Sequence, residues 1–444
     1  MDSRKQTQNT LRSDLLYRYI SALERGDIDA IEAILQKAAQ DEILERMIAD
    51  VHRSYRSEED AGAYARGVNL VRQLLQQHQN TEHAVQLTPT IQEEARLPNP
   101  TIAKNTLFKR LKELGLDKDF VLNRLLPKPL ALKLQEPNDG EEATQLIQRA
   151  SAVVERVFKW ESGALFRSRP PSLNMATVGT TRFKRNIDSD IEHISAYTLY
   201  AHHIALLVLR TTANLPRKPI PTDPDVVRRE ILASYGTFTF EHVLRYVWSL
   251  GIPVLPLNDK GVFHGACWRI GQRNIIVLKQ RTMSDARWLF DLLHELCHAS
   301  QDPDKDEFAV IEGADGAQGL QLAEEEKMAS QFAGNVILDG RAEELVKKCV
   351  QSAKGSVERL KRVVPVVASR EHIPTDALAN YMAFRLSLQN LDWWGAANNL
   401  QVPSTAAWRI TRDLLLTRAT IEVLDEVDRD LLLQALSSSE GESL

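Results

Sequence analysis

Between residues 240 and 338 the apolar pattern changes period twice, and this alternation limits the fold more than any other feature. "FEHVLRYVWSLG" repeats its apolar residues at helical spacing and stops at Gly251. "IPVLPL", "GVFHGACWRI" and "NIIVLKQ" follow as short runs rich in β-branched and aromatic residues. They read as three strands, and "NDKG" and "GQRN" suit antiparallel hairpins between them. Helical spacing returns near Ser284, runs to about Ser300, and appears again from about Leu320 to Leu338. The pattern predicts an α+β fold that is mostly helical. A small antiparallel three-stranded sheet packs on one long helix, with helical regions on both sides.

The flanks supply those regions. The chain has 444 residues, enough for two or three domains. Residues 1–95 form an N-terminal helical region, with two helices broken at Gly26 and a Pro-containing linker, "TPTIQEEARLPNPT". Residues 96–215 are again helical and include a linker. Residues 230–340 hold the mixed core, and residues 341–444 a C-terminal helical region. Within 96–135, "LFKRLKELGLDKDFVLNRLLPKP" gives two short helices around Gly115, compatible with a helix-turn-helix or with a plain helical hairpin. Residues 96–133 carry nine basic and three acidic side chains, which adds weight to a DNA contact there. "FRSRPPSLNMATVGTTRFKRN" reads as a loop.

Overall charge and composition exclude several classes. At −5, the chain is not a bulk nucleic-acid binder. Its 43% apolar and 26% charged residues are those of a globular protein. The most apolar stretch, "ISAYTLYAHHIALLVL", is short and has two central histidines, so no membrane span is expected. Three cysteines, and an N-terminus without a signal-peptide apolar run, point to the cytoplasm.

Chemistry concentrates in "WLFDLLHELCHAS". On a helix His294 and His298 lie one turn apart on one face, so both imidazoles reach a single ion. Zinc accepts such nitrogens. Glu295 stands beside the first ligand, where it can hold a metal-bound water, take its proton and deliver that proton to a leaving amine. H-E-x-x-H on a helix is a short metallopeptidase signature, and the competing reading is a core helix with satisfied histidines. A third ligand must come from elsewhere. In "AEEEKMASQFAGNVIL", Glu325 and Glu326 flank the apolar stripe at roughly 50° on either side, so periodicity does not choose between them. Glu324 points to solvent. His264 and Cys267 fall on opposite faces of their strand, and His202 and His203 point in different directions on a helix. His372 is a candidate to line the cleft as a transition-state stabiliser.

Residues 240–338 resemble the ImmA/IrrE metallopeptidase family in "LGIPVLPL", "GVFHGACWRIGQRNIIVLK", "ARWLFDLLHELCHA" and "EKMASQFAGNVIL". That family pairs H-E-x-x-H with a later helix of the form E-x-x-A-N-x-F-A. Glu326, Ala329, Phe332 and Ala333 fall in register with it. The resemblance therefore selects Glu326 as third ligand and implies zinc, a zincin-type active-site helix and Glu295 as general base. It also implies an endopeptidase that cleaves a regulatory protein, such as a repressor encoded nearby, in a stress response. The alternative is a DNA- or partner-binding regulator with a structural or vestigial zinc site. Cys297 replaces the usual Gly, Ser330 the usual Asn, and no Pro follows Leu338. The Cys297 thiol is read as filling a small gap.

Overall fold

The computed structural model describes Tyr19, Ile34 and residues 100–136, 140–167, 172–173, 181–183, 191–258, 263–279, 284–313, 320–404 and 406–437. The helices expected between residues 11 and 80 lie, those two residues apart, outside the described residues. Contacts divide the chain into two units, Met1–Glu94 and Ala95–Leu444, and every element below belongs to the second.

The second unit begins with α1 (Pro100–Glu113) and α2 (Lys118–Phe120), which Asp117 caps through the Phe120 amide. A π turn, Val121–Leu125, extends α2, and α3 (Lys128–Gln135) and α4 (Gly140–Phe158) follow. The segment expected as helix-turn-helix is thus a helix and a short, irregular second helix. Two of its cations are engaged inside the protein. Arg124 is buried and donates to the carbonyls of Gln434 (2.8 Å) and Ser437 (3.3 Å). Arg110 donates to the carbonyls of Leu165 and Arg167.

Next come β1 (Thr181–Phe183), α5 (Ile191–Thr211), α6 (Pro224–Tyr235) and α7 (Phe240–Ser249). Thr239 caps α7 by accepting from the His242 amide. The sheet continues with β2 (Val254–Pro256), β3 (Phe263–Ile270) and β4 (Arg273–Leu278). Then follow α8 (Asp285–Ser300), β5 (Phe308–Gly313) and α9 (Leu320–Ile337). The unit ends with α10 (Ala342–Ser352), α11 (Val357–Arg370), α12 (Thr375–Ser387), α13 (Trp394–Asn398), α14 (Ala406–Arg418) and α15 (Glu426–Ala435).

The α+β, mostly helical class holds, but the sheet differs from the expected three antiparallel strands. Its order is β1-β5-β3-β4-β2, five strands of mixed direction. β3 and β4 form the expected hairpin, turning through Gly271 and Gln272, both at positive φ. β2 is not a hairpin partner of β3. It runs parallel to β4 on the outer side. Pro253 and Pro256 lack N–H groups, which confines β2 to an edge. Of the two added strands, β1 falls in the segment read as a loop, and β5 in the acidic, Gly-rich connection "QDPDKDEFAVIEGADGAQG" between the two helical stretches. β5 pairs antiparallel with β3, and β1 pairs parallel with β5.

Register assigns the two faces of the sheet. Gly265, Cys267 and Arg269 alternate on one side of β3, with Leu278, Ile276 and Asn274 of β4 opposite them. That side meets α8. Ala266 and Trp268 look the other way, and the His202 ring of α5 stands edge-on to Trp268 at 5.4 Å. α8 is therefore sandwiched between the sheet, α7, α9 and α12. Trp288, Leu289, Phe290, Leu292, Leu293 and Leu296 are all buried, each worth about 1.5–3 kcal/mol on burial. Ser284 starts the helix by accepting from the Arg287 amide. Among the described residues no helix is long and apolar enough to cross a membrane.

Candidate metal centre

The i, i+4 spacing on α8 brings the Nε2 atoms of His294 and His298 within 3.1 Å of each other. α9 crosses beside them and delivers Glu326. Its Oε2 lies 3.0 Å from His294 Nε2, and its Oε1 lies 3.4 Å from His298 Nε2. All three residues are buried. Glu325, which periodicity left equal to Glu326, is half-buried on another side of α9. Glu324 is exposed and pairs with Lys327. The structure thus brings together the two histidines and the glutamate singled out in the sequence.

The donor set fits a divalent cation. Ligand atoms about 2.0–2.1 Å from a tetrahedral zinc lie roughly 3.4 Å apart; the two imidazole nitrogens are 3.1 Å apart, each lies 3.0–3.4 Å from one of the two Glu326 oxygens, and one ligand atom from each residue falls within 4.8 Å of the others. Two nitrogens and one carboxylate, with one position left open, is a donor set of catalytic zinc sites. Burial alone would raise the Glu326 carboxyl, but hydrogen bonds to His294 and His298 outweigh it and hold the group well below the usual carboxylate range. Behind His294, Ser330 Oγ lies 3.2 Å from Nδ1. The tautomer that leaves Nε2 free donates Nδ1–H to this hydroxyl, which orients the ring.

Glu295 faces the sheet. Its carboxylate rests against the backbone of Gly265, where a β-carbon would meet Oε1. Cys267, two residues along the same face, has a thiol pushed up by burial and then by the Glu295 charge. Cys297 is partly exposed on α8, and burial followed by the Glu326 charge pushes its thiol up to about 12.

α8 ends one turn past its histidines on a buried arginine. Arg269 Nη2 donates to the carbonyls of Ala299 and Gln301, each at 2.8 Å, and Nη1 donates to Asp302. Asn274 steadies it by accepting from Nε at 2.8 Å. α9 ends in the same way. Arg228 Nη1 donates to the carbonyls of Val336 (2.8 Å) and Ile337 (3.2 Å). Both arginines come from outside the helices they cap, where a cation suits the carbonyl-rich terminus.

The remaining sequence candidates lie elsewhere. His202 belongs to the opposite face of the sheet, where burial, then the charges of Lys159 and His203, lower its pKa to about 4. His203 lies 3.8 Å from Asp428 on α15. His372 occupies the turn after α11 at a φ of 54°. The His264 side chain is outside the described residues. Sequence reasoning did not single out Gly265, Arg269 or Arg228. A glycine inside a strand is the one local signal that pointed to the first.

Comparison with known proteins adds one match. Residues 249–361 match the family model Peptidase_M78, the IrrE N-terminal-like domain. No curated protein and no solved structure matches the chain. The matched stretch runs from the end of α7 into α11, about a quarter of the chain, and contains His294, Glu295, His298 and Glu326. This stretch of the chain is therefore similar to the IrrE N-terminal-like metallopeptidase domain.

Proposed function

We propose that the unit around α8 and α9 is a zinc-dependent endopeptidase, with His294, His298 and Glu326 as ligands and Glu295 as general base. The observation that carries this reading is the convergence of three buried residues, with the two imidazole nitrogens 3.1 Å apart and each within 3.4 Å of a Glu326 oxygen, beside the buried carboxylate of Glu295 on α8. A bound zinc would polarise the scissile carbonyl and favour ionisation of water. Glu295 accepts the proton of the attacking water as its oxygen bonds to the peptide carbon. It then returns that proton to the amide nitrogen as the C–N bond breaks. The Ser330 hydroxyl, 3.2 Å from His294 Nδ1, helps to hold the orientation of the ring. The substrate proposed is a regulatory protein, in keeping with the family resemblance, in a reducing cytoplasmic setting where Cys267, Cys297 and Cys349 stay free.

The test uses the purified chain and the product of the neighbouring gene. We expect one zinc per chain, a truncated neighbour on co-expression with the wild type, and an intact neighbour with Glu295→Gln, which keeps its zinc. A wild-type protein that binds no zinc with all ligands intact overturns the reading.

A further inference from the structure

Gly265 is buried near the start of β3, paired with Leu278 at the end of β4 on one side and with Glu312 of β5 on the other, next to a register shift against β5. Its φ is not positive, so its backbone accepts an L side chain without strain. Glycine weakens a strand, and conformational freedom is not what keeps it here. Space is. A β-carbon on Gly265 would sit 2.2 Å from Glu295 Oε1, 3.1 Å from Cδ and 3.4 Å from Cγ. The whole end of the Glu295 side chain thus lies on the bare α-carbon of β3.

The alternatives for relieving such a clash are few. β3 is paired on both edges at this residue, with β4 in regular register and with β5 just past a register shift. α8 is fixed by its apolar face and by Arg269, which itself comes from β3. The flexible end of Glu295 is what must move, and at 1% exposure it has no solvent to swing into. We propose that Gly265 is a positioning residue for Glu295: the absence of a side chain on β3 forms the cradle that fixes where the carboxylate stands relative to His294, His298 and Glu326. This inference rests on the peptidase reading for its catalytic consequence, but the contact itself does not depend on it.

Gly265→Ala tests it in two ways. In the zinc-loaded enzyme, we expect one zinc per chain, KM unchanged and kcat lower by about 10²-fold, the scale of a misplaced general base. Glu295→Asp retracts the carboxylate by about one methylene. In that background Gly265→Ala should cost far less of the remaining kcat, since a shorter side chain no longer reaches the new methyl. A structural defect would lower zinc content or fold in both backgrounds alike. The second readout needs no activity. Gly265→Ala should lower the melting temperature by roughly 2–4 °C with Glu295 present, and leave it unchanged or raised in Glu295→Ala, where no carboxylate remains to displace. Equal shifts in both backgrounds, or full kcat in Gly265→Ala, overturn the proposal. If the wild type cleaves nothing, the peptidase reading falls and the melting cycle alone decides whether Gly265 seats Glu295. If Gly265→Ala fails to fold, folding restored in Gly265→Ala/Glu295→Ala supports the contact, and failure in both overturns it.

Discussion

α8 and α9 bring ligand candidates to the same point, but they are held in different ways. α8 buries most of its circumference between the sheet and the neighbouring helices, and its last carbonyls are capped by an arginine that is itself 4% exposed. α9 buries one stripe, Ala329, Phe332, Ala333 and Val336, and leaves Met328 52% exposed. Its capping arginine pairs with Asp339, whose side chain is largely exposed. A close contact supports it lower down. Gly334 lets the Tyr381 ring of α12 approach to where a β-carbon would lie 2.2 Å away. The histidine pair is thus set by a core helix, and the glutamate is brought to it by a helix whose described buried side chains run from Glu326 to Ile337. The difference assigns stability to α8 and adjustability to α9.

The largest test of that contrast is core truncation. Leu293→Ala, at a fully buried site of α8, should cost about 3–5 kcal/mol in denaturant unfolding. Met328→Ala on α9 should change stability by less than about 0.5 kcal/mol. Comparable costs would erase the distinction. Removing the caps comes next. Arg269→Ala strands several buried carbonyls and should cost about 3 kcal/mol. Arg228→Ala, with a more exposed partner, should cost about 1–2 kcal/mol by the same measurement. The reverse order would mean that α9 is the better-anchored helix. Gly334→Ala sharpens the account of α9. Alanine would gain about 0.5–1 kcal/mol of helix propensity, but the aromatic ring has little room to yield, and overpacking of about 1–3 kcal/mol should win. A stabilised variant would show that α12 can step back. The smallest effect falls on one hydrogen bond between the two helices. Ser330→Ala should weaken zinc binding by about tenfold in chelator competition, with little change in overall stability. Unaltered affinity would show that α8 orients His294 without help.

The same contrast explains what could be read in the sequence. The start of α8 near Ser284, its length and the Gly271–Gln272 turn are encoded locally, so patterning finds them. Glu325 and Glu326 flank one apolar stripe equally, so periodicity does not separate them; the family resemblance selects Glu326, and the crossing of α9 over α8 is what brings it to the histidines. β5 was missed because "FAVIE" lies within an acidic, Gly-rich run, and its strand character comes from a partner about 40 residues away. The three residues of β1 have still less local signal and depend on β5 for their conformation. Arg269 and Arg228 look like ordinary surface cations in sequence. Their capping roles exist only once β3 reaches the end of α8 and α6 the end of α9.

The five-stranded sheet has a practical meaning for where this protein can be cut. The stretch that matches the peptidase family begins at residue 249, yet β1 lies at 181–183 and α5 ends at Thr211. A fragment trimmed to the match would uncover the Trp268 face and leave the outer edge of β5 open to another strand. Exposed edges of that kind recruit further chains. The excised domain should therefore precipitate or self-associate, while a fragment that starts before residue 181 retains the strand and helix that shield it.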